Sequence, residues 1–205
     1  AKVRAHHLSP GVMIEVPAAA LLADRILEQV DFVSIGTNDL AQYTMAADRM
    51  SAELATLTDP WQPAVLTLIG ITGRAGGAAG KPVGVCGEAA ADPLLACVLV
   101  GLGVTSLSAA SAAVTAVGAK VASVTADQCR EAADAVLKTS SSGEARALSG
   151  PSTRTSRRCA SIVSGVRPGV GSGATGAPHE GHLRDWAVDW SAMSCSEVRQ
   201  RPCIR

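Results

Sequence analysis

Between residues 11 and 139, short apolar runs of strand length alternate four times with longer stretches that have helical periodicity. Strands that alternate with helices along a chain are typical of strand-helix units around a parallel sheet. The predicted strands are residues 11–16, 31–36, 81–88 and 105–110. The predicted helices are residues 18–29, 64–80, 91–103, 113–124 and 125–139. A polar loop is predicted after residue 36. The alternation of strands and helices predicts the α/β fold class.

The composition limits both the core and the partners of such a fold. Hydrophobic residues make up 47% of the 205 residues but aromatic residues only 2%, so Ala, Val, Leu and Ile must form the core. The formal net charge is zero, which provides no overall field to attract nucleic acid or an anionic membrane surface. We therefore expect neither nucleic acid binding nor membrane insertion.

Targeting signals and cysteine spacing indicate the compartment. No apolar run reaches the roughly 18 to 20 residues that a membrane span needs, and the first ten residues lack the apolar core of a signal peptide. The six cysteines show no CxxC pair, so neither a zinc site nor a disulfide scaffold is indicated. We expect a cytoplasmic protein with reduced thiols.

The character of the sequence changes after the last predicted helix. Residues 140–158 are rich in Ser, Gly and Arg, as linkers often are, and residues 149–205 form an Arg-, Ser- and Gly-rich segment without helical or strand periodicity. We expect a domain at residues 1–148 followed by this tail. The tail is interpreted either as a disordered basic arm or as coding sequence read out of frame. Because the first residue is not Met, the chain is expected to be a fragment.

Reactive side chains stand at or just after the C-terminal end of each of the first three predicted strands. They are Glu15, then Asn38 and Asp39, then Cys86. In a parallel α/β barrel the C-terminal ends of the strands converge on one face, so these residues would meet there. Two converging carboxylates, Glu15 and Asp39, suit Mg²⁺ or Mn²⁺. The alternative is that each acid forms a salt bridge or caps a helix.

The segment after the second strand also has the features of an anion site. Backbone amides at Asn38 and Asp39 can point at an anion where the strand passes into a turn. Arg49 would add donors that suit a phosphate or a carboxylate. The alternative for Arg49 is an ion pair with Asp48 or Asp39.

Cys86 is open to a ligand because Gly84 and Gly87 remove neighbouring bulk. An unperturbed thiol is mostly protonated at neutral pH, so it can donate a proton as well as attack. The alternative is that Cys86 only fills the core. Cys97 and Cys129, on predicted helices, are assigned to the core.

Three motifs, GVMIEVPAA (11–19), DFVSIGTNDLAQYTMAADR (31–49) and GVCGEAA (84–90), closely resemble Enzyme I of the bacterial sugar phosphotransferase system. This family is the phosphoenolpyruvate-protein phosphotransferases, and the resemblance runs from about residue 11 to residue 148. It implies that the chain contains the C-terminal half, about four strand-helix units, of a TIM-type (β/α)8 barrel that binds phosphoenolpyruvate (PEP).

The resemblance also implies roles for the candidate residues. Glu15 and Asp39 would bind Mg²⁺, while Asn38, Asp39 and Arg49 would bind PEP. Cys86 would protonate the methylene carbon of the enolate as the phosphoryl group leaves. In the family, the phosphoryl group passes to a histidine on a separate domain and then to the carrier protein HPr for sugar uptake, and the full-length enzyme is a homodimer.

Two other interpretations stay open. Pyruvate phosphate dikinase and phosphoenolpyruvate synthase share similar GTND and CGE elements, and the chain could be an inactive truncated remnant. Half of a barrel leaves two sheet edges uncovered. We therefore expect little or no phosphotransfer from this polypeptide alone.

Overall fold

The computed structural model describes residues 9–148, which form one sheet of parallel strands with helices packed against it. The strands are β1 (Gly11–Ile14), β2 (Phe32–Gly36), β3 (Val83–Cys86) and β4 (Ser106–Ser108). They lie in the sheet in chain order, and each neighbouring pair is parallel. The α/β class predicted from the sequence is confirmed.

Helices occupy the chain between and after these strands. Two short helices, α1 (Pro17–Leu21) and α2 (Ala23–Leu27), follow β1. The other described helices are α3 (Thr37–Met45), α4 (Pro63–Ala79), α5 (Glu88–Ala91), α6 (Pro93–Gly101), α7 (Ser111–Ala122), α8 (Ala126–Val136) and α9 (Ser142–Leu148). A 3-10 turn at Ala52–Leu54 lies in the long connection between α3 and α4.

The two faces of the sheet differ in what they carry. Alternate side chains point to opposite faces of a strand. On one face β-branched residues are fully buried beneath the helices: Val33, Ile35, Val83 and Val85. The other face carries Met13 and Phe32 together with the small residues Ser34, Gly36, Gly84 and Ser106. A Cβ built at Gly84 would lie 3.0 Å from the Ser106 hydroxyl oxygen. The part of this second face formed by β3, β4 and the end of β2 is therefore lined by small groups.

Two apolar clusters hold the layers together. The larger joins the sheet to α4 and α6 and includes Trp61, Leu66 and Leu99. The smaller lies among α6, α7 and α8 and contains Cys97, Val117, Val121 and Cys129. Cys97 and Cys129 are each only 1% exposed, so their predicted place in the core is confirmed.

The predicted polar loop after β2 is wrong at its start, because residues 37–45 form helix α3. Although many of its residues are polar, α3 is amphipathic and buries Leu40 and Ala41. The acidic Asp39 in its first turn also suits the positive end of a helix.

The predicted linker is wrong at residues 142–148, which form α9 with Ala145 buried. The helix predicted at 91–103 is confirmed as α6, which begins at Pro93 because the Asp92 side chain caps it. The short helix α5, which precedes it, was not predicted. The helix predicted at 18–29 is split at Leu22. Residues 149–205 lie outside the described residues, so both interpretations of the tail stay predictions.

Within residues 9–148, no helix combines the length and the apolar character that crossing a membrane would require.

Candidate active site

Three residues form a row across the C-terminal ends of β1, β2 and β3. Ile14 is paired with Ile35, so Glu15, directly after β1, lies beside Gly36. Gly36 is in turn paired with Cys86 at the end of β3. The alternation of side chains places Glu15 and Cys86 on the same face, which is the face lined by small groups. Glu15 had been expected inside the strand, but it is partly exposed just beyond it.

Gly36 makes room for the Glu15 side chain. A Cβ built at Gly36 would lie 2.6 Å from Glu15 Oε1 and 2.8 Å from its Cγ. Real carbon atoms do not approach so closely, so any side chain here would displace the carboxylate. The absence of a side chain at Gly36 therefore lets the Glu15 carboxylate lie over the end of β2, next to Cys86, and this row of Glu15, Gly36 and Cys86 is called the cradle.

Helix α3 begins immediately after Gly36 and brings its first turn to the same end of the sheet. Thr37, Asn38 and Asp39 occupy this turn, and no side chain caps it. The first amides of a helix lack partners within the helix and carry its positive partial charge. The turn can therefore bind an anion, as the sequence predicted for a non-helical turn.

Asn38 bridges the ends of β2 and β3. Its Oδ1 accepts a hydrogen bond from the backbone amide of Glu88, 3.3 Å away in the first turn of α5. This contact fixes the side-chain amide of Asn38 at the mouth of the cradle.

Arg49 reaches the same place from the loop after α3. Its Nη1 lies 3.5 Å from Asp39 Oδ1, and both side chains are about one-third exposed. The ion pair with Asp39, offered above as the alternative for Arg49, is thus present in the structure. Two contacts position the loop: α3 ends at Ala46 in a left-handed conformation, and the Arg49 amide donates to Gln42 Oε1 at 3.2 Å.

The charges at this end of the sheet influence one another. Burial raises the pKa of Glu15 above its ordinary value of 4.5, the charge of Asp39 raises it further, and Arg49 opposes both. Two carboxylates that repel each other in this way suit a divalent cation. Mg²⁺ commonly uses one or two carboxylates and completes its shell with water and substrate oxygens. Among residues 9–148 no cluster of three or more His, Cys, Asp or Glu side chains offers a fully protein-made site.

Comparison with protein-family models matches residues 2–126 to the PEP-utilising enzyme, PEP-binding domain. This span is more than half of the chain. The chain belongs to the PEP-utilising enzyme family. The resemblance stated from the three motifs is confirmed.

Three curated relatives of this PEP-utilising enzyme domain have the same name. A phosphoenolpyruvate-protein phosphotransferase of Streptomyces coelicolor is 56% identical over 136 residues, which are 66% of this chain and 24% of the relative. That of Geobacillus stearothermophilus is 42% identical over 127 residues, 62% of this chain and 22% of the relative. That of Lactococcus lactis subsp. cremoris is 47% identical over 110 residues, 54% of this chain and 19% of the relative. The chain spans about a quarter of the length of these relatives or less.

The structure places all five predicted site residues of the PEP-utilising enzyme domain at one end of the sheet. Glu15, Asp39 and Arg49 lie within electrostatic reach of one another. Asn38 and Cys86 stand at the ends of β2 and β3 beside them. Their chemical roles stay predictions. Sequence reasoning did not identify three further residues that shape the site: Gly36, Thr37 and Gln42.

Proposed function

We propose that this chain contains the PEP-binding part of a phosphoenolpyruvate-protein phosphotransferase, and that residues 9–148 are the C-terminal half of a (β/α)8 barrel. The parallel strands in chain order support the barrel, because an open doubly wound sheet reverses its strand order at a switch point. Within the described sheet, the outer edges of β1 and β4 have no strand beside them. Val12, Leu21 and Leu22 are exposed on the β1 side, as expected where a further strand-helix unit would pack.

PEP would bind through groups that the fold already brings together. The first-turn amides of α3 would donate to an anionic group of the substrate, and the NH₂ group of Asn38 would add a donor. Arg49 would exchange its Asp39 partner for the phosphate or the carboxylate. An exposed ion pair contributes about 1 kcal/mol or less, so the exchange costs little.

Glu15 and Asp39 would supply the carboxylate ligands of a Mg²⁺ site. The raised pKa of Glu15 supports this assignment, because a bound cation would relieve the repulsion between the two carboxylates. When bound, Mg²⁺ supplies charge neutralisation on the phosphoryl group, which is the main requirement of phosphoryl transfer.

Cys86 would complete the reaction on the other side of Gly36. When the phosphoryl group passes from the enol oxygen to a histidine, the electron pair of the broken bond stays on the enolate. The Cys86 thiol then gives its proton to the methylene carbon, which yields pyruvate and a thiolate.

The remaining steps would involve parts of the complete enzyme that lie outside the segment matched by this chain. We propose that the histidine lies on another domain and passes the phosphoryl group to HPr for sugar uptake, and that the complete enzyme is a dimer. The cytoplasmic location stays a prediction. The relatives described above are phosphotransferases, so no observation favours a dikinase or a synthase. We expect the 205-residue chain alone to produce no pyruvate from PEP with Mg²⁺ and an acceptor.

The observation that carries this proposal is the row of Glu15, Gly36 and Cys86 next to the first turn of α3. Titration of the 205-residue chain with PEP in the presence of Mg²⁺, followed calorimetrically, tests it. Arg49→Gln is expected to weaken binding about tenfold, since a charge-assisted hydrogen bond is lost. Arg130→Gln is the control, because the exposed Arg130 side chain pairs with the exposed Asp127 side chain on α8. Equal affinity in the two variants, or no binding by the wild type at millimolar PEP, would contradict the proposal.

A further inference from the structure

A buried hydroxyl connects the start of α3 to the residue that bears the candidate proton donor. Thr37 is 2% exposed, and its Oγ1 donates to the backbone carbonyl of Cys86 at 3.0 Å. The Cys86 thiol in turn lies 3.5 Å from the carbonyl oxygen of Ile35. The last residues of β2 and β3 are thus joined by side-chain contacts in addition to the backbone pairing of the strands.

The next residue, Gly87, allows this close approach. It has φ of +104° and ψ of −165°, a combination that is essentially restricted to glycine. A Cβ at this position would lie 2.7 Å from Thr37 Oγ1 and 3.0 Å from Asn38 Oδ1. The chain then turns so that the Glu88 amide reaches Asn38. The turn at residues 86–88 is therefore held against α3 at three successive residues.

We propose that Thr37 and Gly87 are positioning residues, which hold the turn at 86–88 against the first turn of α3 and so fix the Cys86 thiol relative to the anion site. Neither residue is placed in contact with the reacting atoms. The catalytic consequence rests on the proposed function, whereas the positioning itself does not.

The reason for such a device is geometric. A thiol that protonates a substrate carbon must lie within about one ångström of its productive place, because misplacement of this size slows catalysis steeply. Cys86 is the last residue of β3, so the strand pairing ends there and the glycine turn begins. The Thr37 hydroxyl adds a constraint at this point through the Cys86 carbonyl.

Thr72 provides a matched control for Thr37. It is the other buried polar residue in the part of the chain that the structure describes, and its hydroxyl also donates to a backbone carbonyl at 3.0 Å, that of Leu68 in α4. Thr37→Val and Thr72→Val each remove one buried hydroxyl of the same kind. Only the first should affect Cys86.

The test is the rate at which iodoacetamide alkylates Cys86 in the ligand-free 205-residue chain, measured by peptide mass spectrometry. Thr37→Val is expected to increase this rate about fivefold, the factor for roughly one lost hydrogen bond. Hydrogen exchange at the Glu88 amide should accelerate in parallel. Thr37→Ser, which keeps the hydroxyl, should restore both wild-type values, and Thr72→Val should change neither. Equal effects of Thr37→Val and Thr72→Val would overturn the proposal.

A second pair of variants tests the positioning if Thr37→Val does not fold. Gly87→Ala should also accelerate Cys86 alkylation, whereas Gly118→Ala, where an added Cβ meets no atom within 4 Å, should not. Protection of wild-type Cys86 by PEP with Mg²⁺ is measured separately. If PEP with Mg²⁺ does not protect wild-type Cys86 from alkylation, the proposed function is contradicted. If Thr37→Val and Gly87→Ala both leave the rate without ligand unchanged, the positioning is contradicted.

Discussion

Replacing Gly36 by alanine tests the cradle at the end of the sheet. The backbone at Gly36 has φ of −85°, which alanine adopts without strain, so the effect is steric. The new methyl would lie 2.6 Å from Glu15 Oε1, 2.8 Å from its Cγ and 3.1 Å from its Cδ. Ordinary contacts are about 3.5 Å or longer, so the carboxylate must retreat by about 1 Å. Metal ligands tolerate displacements of only about 0.2 Å, so we expect affinity for a divalent cation to fall at least about tenfold.

The assay is a titration of the 205-residue chain with Mn²⁺, in which the electron paramagnetic resonance signal reports the free ion. Gly84→Ala is the control, since the three atoms nearest its Cβ would be Ser106 Oγ at 3.0 Å, Ser34 Oγ at 3.7 Å and the Val33 carbonyl oxygen at 3.8 Å, none of which belongs to Glu15. Circular dichroism checks that both variants are folded. Wild-type Mn²⁺ affinity in a folded Gly36→Ala protein would refute the argument that Glu15 is a ligand held in place by the space at Gly36.

Three further predictions concern pH and stability, each measured by urea unfolding. Burial and Asp39 raise the pKa of Glu15, so the folded state binds that proton more tightly than the unfolded state, and stability falls as pH rises from 4.5 through the raised value. Glu15→Gln should therefore unfold at higher urea than the wild type at pH 7 and at equal urea near pH 4; a lower midpoint at pH 7 would contradict this. Asp92→Ala should lower the free energy of unfolding by about 2–3 kcal/mol, because Asp92 caps α6 and accepts from the Trp61 indole. Asp127→Ala, which removes an exposed side chain of α8, should lower it by less than about 0.5 kcal/mol, and equal losses in the two variants would contradict the importance of the Asp92 contacts. Ala46→Gly should stabilise by about 0.5–1 kcal/mol, since Ala46 has φ of +50°, and a loss would show that its left-handed conformation is not strained.

The alternation of strand-length and helical segments was sufficient to predict the sheet. Four predicted strands became four parallel strands, each shorter than expected. The helix predicted at 125–139 was also confirmed as α8, which begins with a capping box: Thr125 Oγ1 accepts from the Gln128 amide, and Gln128 Oε1 accepts from the Thr125 amide. Both signals depend on neighbouring residues in the sequence and need no knowledge of the packing.

Helices α3 and α9 could not be predicted in the same way. Both are short and polar, and their stability comes from contacts with distant parts of the chain. In α9, Arg146 pairs with Asp59 at 2.9 Å and lies over the Trp61 ring at 5.5 Å. These partners are more than 80 residues away in the sequence, so the Ser- and Gly-rich composition of this segment indicated a linker instead.

The candidate site was predicted from the rule that strand ends converge, and that rule placed Glu15, Asp39 and Cys86 at one end of the sheet. The rule does not specify which residues stand opposite one another. The roles of Gly36 and Thr37 depend on the pairing of Gly36 with Cys86, which is set by the register of β2 and β3. The GTND motif contains both residues, but only the register relates them to Cys86.

The most direct test of the account is to locate a bound metal with PEP on the 205-residue chain by nuclear magnetic resonance. Mn²⁺ replaces Mg²⁺, and its paramagnetism broadens the signals of nearby amides. The account predicts the strongest broadening at Glu15, Gly36, Asn38, Asp39 and Cys86, with weaker broadening at Gly11 and Phe32, which lie at the other end of the strands. Broadening centred on Gly11 and Phe32, or spread evenly over the sheet, would contradict it.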